Sequence, residues 1–418
     1  MAEVRPLEAL HYNLSAVSSL ADVTAPPYDV VDAGQRAALL ARSPFNVVEI
    51  DLPQAPAGRD PYEHAAETLE AWTLQGVLSA DREPAIWALT QDYEGPDGYR
   101  RTRHGLLARV RVTAYGPGLV RPHERTQPGP KEDRLRLTRA TRHNLSPIFA
   151  LHPGDAWRNI EPGIGGEPWG EVADPDGTLH RIWRIPDPAV HAAVASELSD
   201  AELLIADGHH RYETALAYAD EIGGEGPHRY TLMCLVSLED PGLTIFGTHR
   251  MLGDLDAEAQ ERLADGIRRH FHVEEAGEDE LDPAGAHGTG VFGYLDATSG
   301  RAFRLRLEDT EAIDETLRDR SEAYRRLDAV ILEELILKRT LGMSAEDIAA
   351  KRGLGYATSV RQAQALLDDG ACQAAFLLRP TPVEQVREVA AQGETMPPKS
   401  TYFFPKVLTG VVFNPLSR

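Results

Sequence analysis

The stretch that most constrains this chain is residues 203–216, LLIADGHHRYETAL. Four apolar residues come first, Asp207 and Gly208 follow, and the apolar residues after them recur at helical spacing. This pattern predicts a buried strand, a tight turn at Gly208 and a helix that begins near His209. The DGHHR segment is therefore expected at the N-terminal end of a helix.

The residue types at this junction indicate an anion site. A helix N-terminus favours anions through its free N–H groups and its dipole. Arg211 can pair with phosphate in a bidentate manner, and His209 and His210 add donors that change charge near neutral pH. Asp207 would repel a phosphate unless it holds a metal ion or accepts a proton from a substrate. The alternative is an N-capping Asp207, a surface Arg211 and two structural histidines. Adjacent histidines on one helix point about 100° apart, which disfavours a zinc site made by this pair.

The composition limits the partners. The chain has 418 residues, enough for two or three domains, and 42% of them are hydrophobic. Its formal charge of −22 opposes nucleic acid and anionic membranes, so neither is expected as a partner. Cys234 and Cys372 stand far apart, which indicates no disulfide framework. Without a signal peptide or an apolar run long enough for a membrane helix, we expect a soluble cytoplasmic protein.

Residues 121–142 form a local basic segment. Seven cationic residues face only three acidic ones there: Arg121, Arg125, Lys131, Arg134, Arg136, Arg139 and Arg142 against Glu124, Glu132 and Asp133. The motif HERT adds His123 and Thr126 at its start. Such a segment suits a polyanionic ligand, although a solvated helix face that balances acidic neighbours is the alternative.

Two further segments contain candidate site residues. In PPKSTYFFPK (397–406), Lys399, Ser400 and Thr401 can contact phosphate, although the glycines of a P-loop are absent. The alternative is an aromatic core strand with exposed lysines. Glu49 is a carboxylate within FNVVEIDL (45–52), which reads as an apolar strand, so it is either a general base or part of a polar strand face.

The pattern along the chain predicts an α+β fold with mixed sheets, since strands and helices do not alternate regularly. Predicted strands are 45–52, 84–94, 100–112, 146–151, 179–186, 230–238, 243–252 and a hairpin at 289–309. Predicted helices are 61–78, 131–144, 187–198, 254–271, 312–338 and 382–391, with short helices and tight turns at 342–370. Three prolines, Pro122, Pro128 and Pro130, are expected to keep the start of the basic segment out of a helix. We expect three parts: an N-terminal α+β segment (1–120), a core domain (121–310) and a C-terminal helical region with closing strands (311–418), with a core that can draw on both ends of the chain.

Several motifs in order resemble a known family. APPYDVV, HERT…K.DRL.L..AT..N.SPIF, ADGHHRYETAL and MPPKSTYFFPK…G together are similar to the prokaryotic family called domain of unknown function 1015. The DGHHR box resembles that of the ParB/sulfiredoxin superfamily, which includes CTP-binding partition proteins, ATP-using sulfiredoxins and free-serine kinases. This resemblance implies a small α+β nucleotide-phosphate core with additional α/β and helical segments. Sulfiredoxin activity is disfavoured because Tyr212 and Glu213, and no cysteine, follow the box.

The free-serine kinases fit best, because they too carry Asp-Gly-His-His-Arg. The resemblance implies a phosphotransferase that acts on a small hydroxylated metabolite, with serine or phosphoserine as the best candidate, ATP or ADP as co-substrate and Mg²⁺ as cofactor. The expected catalytic residues are Asp207, His209 and Glu49. Expected phosphate or nucleotide contacts are Gly208, His210, Arg211, His123, Glu124, Arg125, Thr126, Lys131, Arg134, Lys399, Ser400 and Thr401. Two alternatives stay open: a non-enzymatic nucleotide-binding regulator, with residues 342–370 as a mimic of a helix-turn-helix, and a phosphate-ester hydrolase.

Overall fold

The computed structural model describes residues 2–95, 97–277 and 280–417. In chain order, its strands are β1 (Val4–Arg5), β2 (Leu10–Tyr12), β3 (Leu78–Ala80), β4 (Ile86–Glu94), β5 (Arg100–Arg111), β6 (Val120–Arg121), β7 (His143–Asn144), β8 (Ile148–His152), β9 (Gly170–Ala173), β10 (Leu179–Ile185), β11 (Leu203–Asp207), β12 (Tyr230–Ser237), β13 (Thr244–Phe246), β14 (His249–Leu252), β15 (Phe271–Glu275), β16 (Val291–Asp296), β17 (Arg301–Leu307), β18 (Leu354–Ala357), β19 (Ala374–Leu378), β20 (Tyr402–Phe404) and β21 (Asn414–Pro415).

The helices are α1 (Leu20–Val23), α2 (Ala33–Arg42), α3 (Val48–Asp51), α4 (Pro61–Leu74), α5 (Pro128–Thr141), α6 (Trp157–Ile160), α7 (Pro188–Leu198), α8 (His209–Ile222), α9 (Ala257–His270), α10 (Thr310–Thr316), α11 (Glu322–Arg325), α12 (Asp328–Leu332), α13 (Ala345–Ala349), α14 (Val360–Asp368) and α15 (Val383–Ala391). Short 3-10 helices cover Tyr28–Val30, Glu161–Gly163, Pro227–Arg229 and Pro283–Gly285, and a π-helix covers Glu333–Thr340. This mixture of helices with several sheets confirms the predicted α+β class.

The chain divides into two units, each discontinuous in sequence. The first comprises Met1–Pro122, Thr126–Leu243 and Pro405–Arg418, and the second comprises His123–Arg125 and Thr244–Phe404. The C-terminal segment therefore returns to the unit that contains the N-terminus. The division into 1–120, 121–310 and 311–418 stays a prediction.

A mixed nine-stranded sheet forms the centre of the first unit. Its strand order is β6-β11-β8-β12-β5-β4-β10-β9, and β1 also pairs with β5. The pairs β6/β11 and β8/β12 are parallel, and the other pairs are antiparallel. Alternate residues of the central strands form one apolar core with residues of α7 and α8. The opposite face carries Gln91, Arg103 and Phe149, and the C-terminal segment contacts it at Pro405 and Lys406.

The second unit contains a six-stranded antiparallel sheet in the order β15-β17-β16-β19-β14-β18. Strand β19 shows the alternation of the two faces. Phe376 packs in a core with residues of α9, α12 and the π-helix, whereas Ala375 and Leu377 pack in a second core with residues of α14. Both faces of β19 are therefore buried, and this strand consists of apolar residues throughout.

Several sequence-based elements are confirmed. Helix α4 occupies most of 61–78, strands β4 and β5 form the hairpin predicted for 84–94 and 100–112, and β16 and β17 form the one at 289–309. The strand–turn–helix junction at 203–216 is also present, as β11 and α8.

The predicted strand at 45–52 is wrong, because residues 48–51 form helix α3. The Asn46 side chain accepts a hydrogen bond from the Val48 N–H at 3.1 Å, and its amide donates to the carbonyls of Asp22 and Thr24. These bonds hold the chain in a helical turn. Tertiary contacts of this kind override the β preference of Val47, Val48 and Ile50.

Four other expectations need correction. Pro128 and Pro130 lie in the first turn of α5, where the missing N–H groups have no intrahelical partner to lose. Residues 342–370 contain strand β18 as well as short helices. The strand predicted for 243–252 is two strands separated at Gly247, where a Cβ atom would lie 2.2 Å from the Leu378 carbonyl oxygen. The helix predicted for 312–338 is broken into α10, α11, α12 and the π-helix.

Candidate functional site

The junction between β11 and α8 is a tight turn that only glycine fits without strain. Gly208 adopts φ +96°, and a Cβ atom at this position would lie 2.9 Å from Nε of Arg211 and 3.0 Å from its Cζ. Both the backbone angle and the close guanidinium therefore require glycine here. The register of β11 against β8 also shifts between Ile205 and Asp207, and such a bulge redirects the side chain at the strand end.

Asp207 lies between two cations. Its Oδ2 accepts a hydrogen bond from Nη2 of Arg211 at 2.5 Å, and its Oδ1 accepts one from Nζ of Lys406 at 2.5 Å. Burial alone would raise the pKa of this carboxyl, but the charges of Lys406 and Arg211 outweigh it and hold the pKa well below its usual range. Asp207 is therefore an ionised carboxylate and a weak proton acceptor.

Arg211 connects this junction to the segment before β8. Its Nη1 donates to Oγ of Ser146 at 2.8 Å and to the carbonyl oxygen of Pro147. Ser146 in turn accepts a hydrogen bond from Oγ1 of Thr409 at 2.9 Å. The two terminal nitrogens of the guanidinium are thus held by two segments of the chain, Nη2 by Asp207 and Nη1 by Ser146 and Pro147.

A small polar cavity of about 40 Å³ adjoins Arg211. Its lining is mostly polar: Tyr28, Asp51, Arg134, Leu137, Thr138, His143, Asn144, Leu145, Ser146, Arg211, Thr214 and Thr231. The cavity therefore has room for about three water-sized groups. It can therefore hold a reacting group, such as a hydroxyl with part of a phosphoryl group, rather than a whole nucleotide.

Asp51 is the second carboxylate of this site. It is buried at the end of α3, and Nη1 of Arg134 lies 3.2 Å from its Oδ1 and 2.7 Å from its carbonyl oxygen. Burial raises the pKa of Asp51, and the charges of Arg134 and Arg211 only partly oppose this. The pKa of Asp51 is therefore raised and that of Asp207 lowered, although the charge of Arg211 acts on both carboxyls.

Tyr28 covers the guanidinium of Arg134, which lies 4.3 Å from its ring centroid. Burial raises the pKa of the Tyr28 hydroxyl to about 12. The phenol therefore stays protonated at neutral pH, so that it can donate a hydrogen bond to an anion in the cavity.

The two histidines of the box differ in their surroundings. His209 is buried, with 7% of its surface exposed. The Nε2 atom of His210 accepts a hydrogen bond from the backbone N–H of Gln127 at 2.9 Å. Burial lowers the pKa of His210, which agrees with a neutral ring whose proton is on Nδ1.

Acidic side chains neutralise much of the basic segment. Oε2 of Glu213 accepts a hydrogen bond from Thr126 and pairs with Lys131, in both cases at 2.8 Å. Five cations of the segment form ion pairs: Arg121 with Glu202, Lys131 with Glu213, Arg134 with Asp51 and Asp133, Arg136 with Asp60, and Arg139 with Glu221. The segment therefore offers a ligand less free positive charge than its sequence indicates.

Glu49 is not part of a strand, since it lies on α3. Its carboxylate pairs with Nη2 of Arg36 at 3.0 Å and with Nε2 of His64 at 3.3 Å, and a quarter of its side chain is exposed. Glu49 is thus two residues before Asp51 but has different partners. Its role as a base stays a prediction.

The remaining candidate residues belong to the second unit. Nε2 of His123 and Oγ1 of Thr401 are 2.8 Å apart, and Nε of Arg125 donates to Thr395 at 3.0 Å. Glu124 forms a parallel β-bridge with Met396. Ser400 is buried and donates to the Pro397 carbonyl at 2.7 Å, while Lys399 is exposed with φ +59°. The HERT and PPKST motifs thus contact each other here.

Four residues at Asp207 or in the cavity beside Arg211 were not singled out from the sequence: Tyr28, Asp51, Ser146 and Lys406. Tyr28, Ser146 and Lys406 nevertheless lie in the recognised motifs APPYDVV, SPIF and FFPK, and Asp51 lies in the segment 45–52 that was read as a strand. The presence of these motifs in one chain was the sequence signal that could have pointed to Tyr28, Ser146 and Lys406. It named the right segments, but only the fold shows which side chain of each segment reaches the site.

The donor set around the cavity can be tested for a metal ion. Among the described residues, no group of three or more His, Cys, Asp or Glu side chains is arranged to hold one. Asp51 and Asp207 each have cationic partners already. A Mg²⁺ ion fits this site only if phosphate oxygens of a nucleotide supply most of its ligands, which is a common mode for this ion. Among the residues that the structure describes, every helix is too short or too polar to cross a membrane.

These features define an α+β protein with a buried, charged site at a strand–helix junction. The chain matches the family model described as "Protein of unknown function (DUF1015)" over residues 4–330. The chain belongs to this family, as its motifs predicted. Among curated proteins, no match was found.

Three solved structures are similar to parts of this chain. A conserved hypothetical protein from Pyrococcus furiosus is 16% identical, with a TM-score of 0.35, over 70% of this chain and 92% of that one. A free serine kinase in complex with AMP is 14% identical, with a TM-score of 0.35, over 70% and 88%. SbnI with a C-terminal truncation, from Staphylococcus aureus, is 12% identical, with a TM-score of 0.37, over 72% and 85%.

Proposed function

We propose that this protein transfers a phosphoryl group between a nucleotide and the hydroxyl group of a small metabolite, with serine or phosphoserine as the first substrate to test. One observation carries the proposal. Asp51 and Arg211 line one cavity, and Arg211 also pairs with Asp207, so a carboxyl whose pKa is raised by burial lies near one whose pKa is lowered by two cations. Such a divergence separates a proton acceptor from a permanently charged group.

In this proposal Asp51 accepts the proton. The substrate oxygen attacks the terminal phosphorus of the nucleotide, the bond from that phosphorus to the bridging oxygen breaks, and the hydroxyl proton passes to a carboxylate oxygen of Asp51. A base works best when its pKa is close to the working pH, and the raised pKa of Asp51 brings it closer than the depressed pKa of Asp207. We therefore propose Asp51 as the base in place of Asp207 or Glu49.

The cations have separate roles. Arg211 and Lys406 keep Asp207 ionised, and Arg134 holds Asp51 in the cavity. Phosphate oxygens are expected at the N-terminal end of α8, where Gly208 allows a close approach of the backbone. Mg²⁺, when bound with the nucleotide, would spread the charge of the phosphates during transfer. The reverse reaction, from phosphoserine and ADP to serine and ATP, uses the same groups.

The test is turnover in both directions. The protein is incubated with phosphoserine, ADP and Mg²⁺, and ATP and serine are measured; the forward reaction is measured with serine and ATP. We expect turnover in at least one direction and a loss of about 10²–10⁴-fold in Asp51→Asn. Serine, threonine and glycerol with a panel of nucleotides form the substrate set.

The other outcomes separate the alternatives. Nucleotide binding in a thermal-shift assay without transfer to any of these hydroxyls would contradict the proposal and favour a binding protein. Release of inorganic phosphate from phosphoserine without nucleotide would instead indicate a hydrolase.

A further inference from the structure

The main chain around Lys406 is held by two buried side chains of the first unit. Nη2 of Arg103 donates to the Pro405 carbonyl at 2.6 Å, and Nε2 of Gln91 donates to the Lys406 carbonyl at 3.0 Å. Gln91 and Arg103 are directly opposite each other on β4 and β5, and Gln91 Oε1 accepts from both Nε and Nη2 of Arg103. Two consecutive carbonyls are therefore bound by one cross-strand pair.

Arg103 is an unusual residue for this position. It is completely buried, and none of the ion pairs found among the described residues includes it. Its guanidinium lies 4.4 Å from the centroid of the Phe149 ring, and its Nη1 has no hydrogen-bond partner in the part of the chain that the structure describes. A buried cation without a bonded carboxylate is costly, so a contribution to stability alone does not account for it.

The orientation of the Gln91 amide is set from its other side. Asp174 Oδ2 can only accept, so Nε2 of His180, 2.9 Å away, is the protonated ring nitrogen. The Nδ1 of His180 is then an acceptor and receives a hydrogen bond from Nε2 of Gln91 at 3.1 Å. Since Arg103 can only donate, it requires the amide oxygen of Gln91 on its own side. The amide nitrogen must therefore face both His180 and the Lys406 carbonyl.

We propose that Arg103 and Gln91 are positioning residues that fix the backbone at Pro405 and Lys406 and so keep the Lys406 ammonium on Asp207. Lys406 has a long side chain with much rotamer freedom, and only 18% of it is exposed. Immobilising its backbone lowers the entropic cost of holding the ammonium at one carboxylate oxygen. Any effect of Arg103 and Gln91 on catalysis rests on the proposed function. Their effect on the position of Lys406 does not depend on it.

The first test does not use activity. The folded protein is treated with a limiting amount of an acylating reagent, and modification of each lysine is followed by mass spectrometry, with the exposed Lys399 as the internal reference. In the unchanged protein Lys406 is expected to react at least about tenfold more slowly than Lys399, since its ammonium is paired and mostly covered. Arg103→Met and Gln91→Leu should each remove most of this protection.

The control is Val194→Ala, which weakens the apolar core of the first unit at a buried position of α7. It is expected to lower the melting temperature while Lys406 stays protected. Protection that survives in both Arg103→Met and Gln91→Leu would overturn the proposal, as would an equal loss in Val194→Ala. If Arg103→Met does not fold, Gln91→Leu decides the matter.

The second test uses turnover. Arg103→Met and Lys406→Met should each lower kcat about tenfold, and the double variant should be no slower than Lys406→Met alone, because one acts through the other. Independent effects that multiply would contradict the positioning role. If the unchanged protein has no phosphotransfer activity, the proposed function fails, and the acylation experiment still decides on the arrangement of Arg103 and Gln91.

Discussion

The ammonium of Lys406 lies 2.5 Å from Oδ1 of Asp207, although the two residues are 199 positions apart in the chain. Asp207 ends the strand before the DGHHR helix, and Lys406 belongs to the C-terminal segment that returns to the same unit. The second oxygen of Asp207 pairs with Arg211. The carboxylate of Asp207 therefore forms ion pairs with two cations, Lys406 and Arg211.

This sharing predicts an asymmetric response to substitution. Asp207→Asn leaves both Lys406 and Arg211 without their carboxylate and is expected to cost about 3–5 kcal/mol of unfolding free energy. Lys406→Met should cost clearly less, because Asp207 still pairs with Arg211. Urea denaturation of both variants and of the double variant measures the coupling, expected at about 1–3 kcal/mol. Additivity of the two substitutions within about 0.5 kcal/mol would show that the pair does not interact.

Acid sensitivity is the second prediction. The pKa of Asp207 is lower in the folded protein than the unfolded value of about 3.9. Its contribution to stability is therefore complete above pH ~4 and is lost as the pH falls towards the depressed folded pKa. Urea denaturation between roughly pH 2 and 6 should show a steeper loss of stability in the unchanged protein than in Asp207→Asn.

Asp97→Asn is a matched control for this experiment. Arg101 lowers the pKa of Asp97 as well, but 41% of the Asp97 side chain is exposed. Salt should screen the effect of Asp97 and leave that of the buried Asp207 largely unchanged. An Asp207 effect that disappears in roughly 0.5 M NaCl would contradict its burial between two cations.

Gly208→Ala tests the turn at the start of α8. The substitution meets both a φ of +96° and the Arg211 guanidinium about 3 Å from the new Cβ atom. We expect a loss of about 1–3 kcal/mol in urea denaturation, together with displacement of Arg211 and loss of activity. Gly224→Ala is the control, since Gly224 also has a positive φ, +65°, but nothing lies within 4 Å of the added atom. Equal losses of stability in the two variants would mean that the contact with Arg211 is unimportant.

The choice of base is tested by the pH dependence of turnover. If Asp51 accepts the proton, activity is lost on the acidic side with a midpoint above 3.8, the ordinary aspartate pKa, because burial raises the pKa of Asp51. Asp51→Asn should remove this dependence along with most of kcat, whereas Glu49→Gln should keep it. The reverse pattern, with the larger loss in Glu49→Gln, would assign the base to Glu49.

Local patterns predicted what local forces decide. The junction at 203–216 follows from an apolar run, a glycine and helical periodicity, and it is present as β11 and α8. Residues 45–52 show the opposite case, since their β preference loses to the hydrogen bonds of Asn46 with the carbonyls of Asp22 and Thr24. Those partners are more than twenty residues away, so no window of sequence around Glu49 contains the information.

The charged residues show the same difference between what the sequence and what the structure reveals. The sequence shows seven cations in residues 121–142, but their carboxylate partners, such as Glu202, Glu213 and Glu221, lie on other segments. From the sequence alone follow the family, the α+β class and the motifs that matter, because these depend on residue types and their order. Only the tertiary structure decides that Lys406 joins Asp207 and that Asp51 and Asp207 differ in pKa. Desolvation and charge pairing depend on distances in space, which the order of residues does not specify.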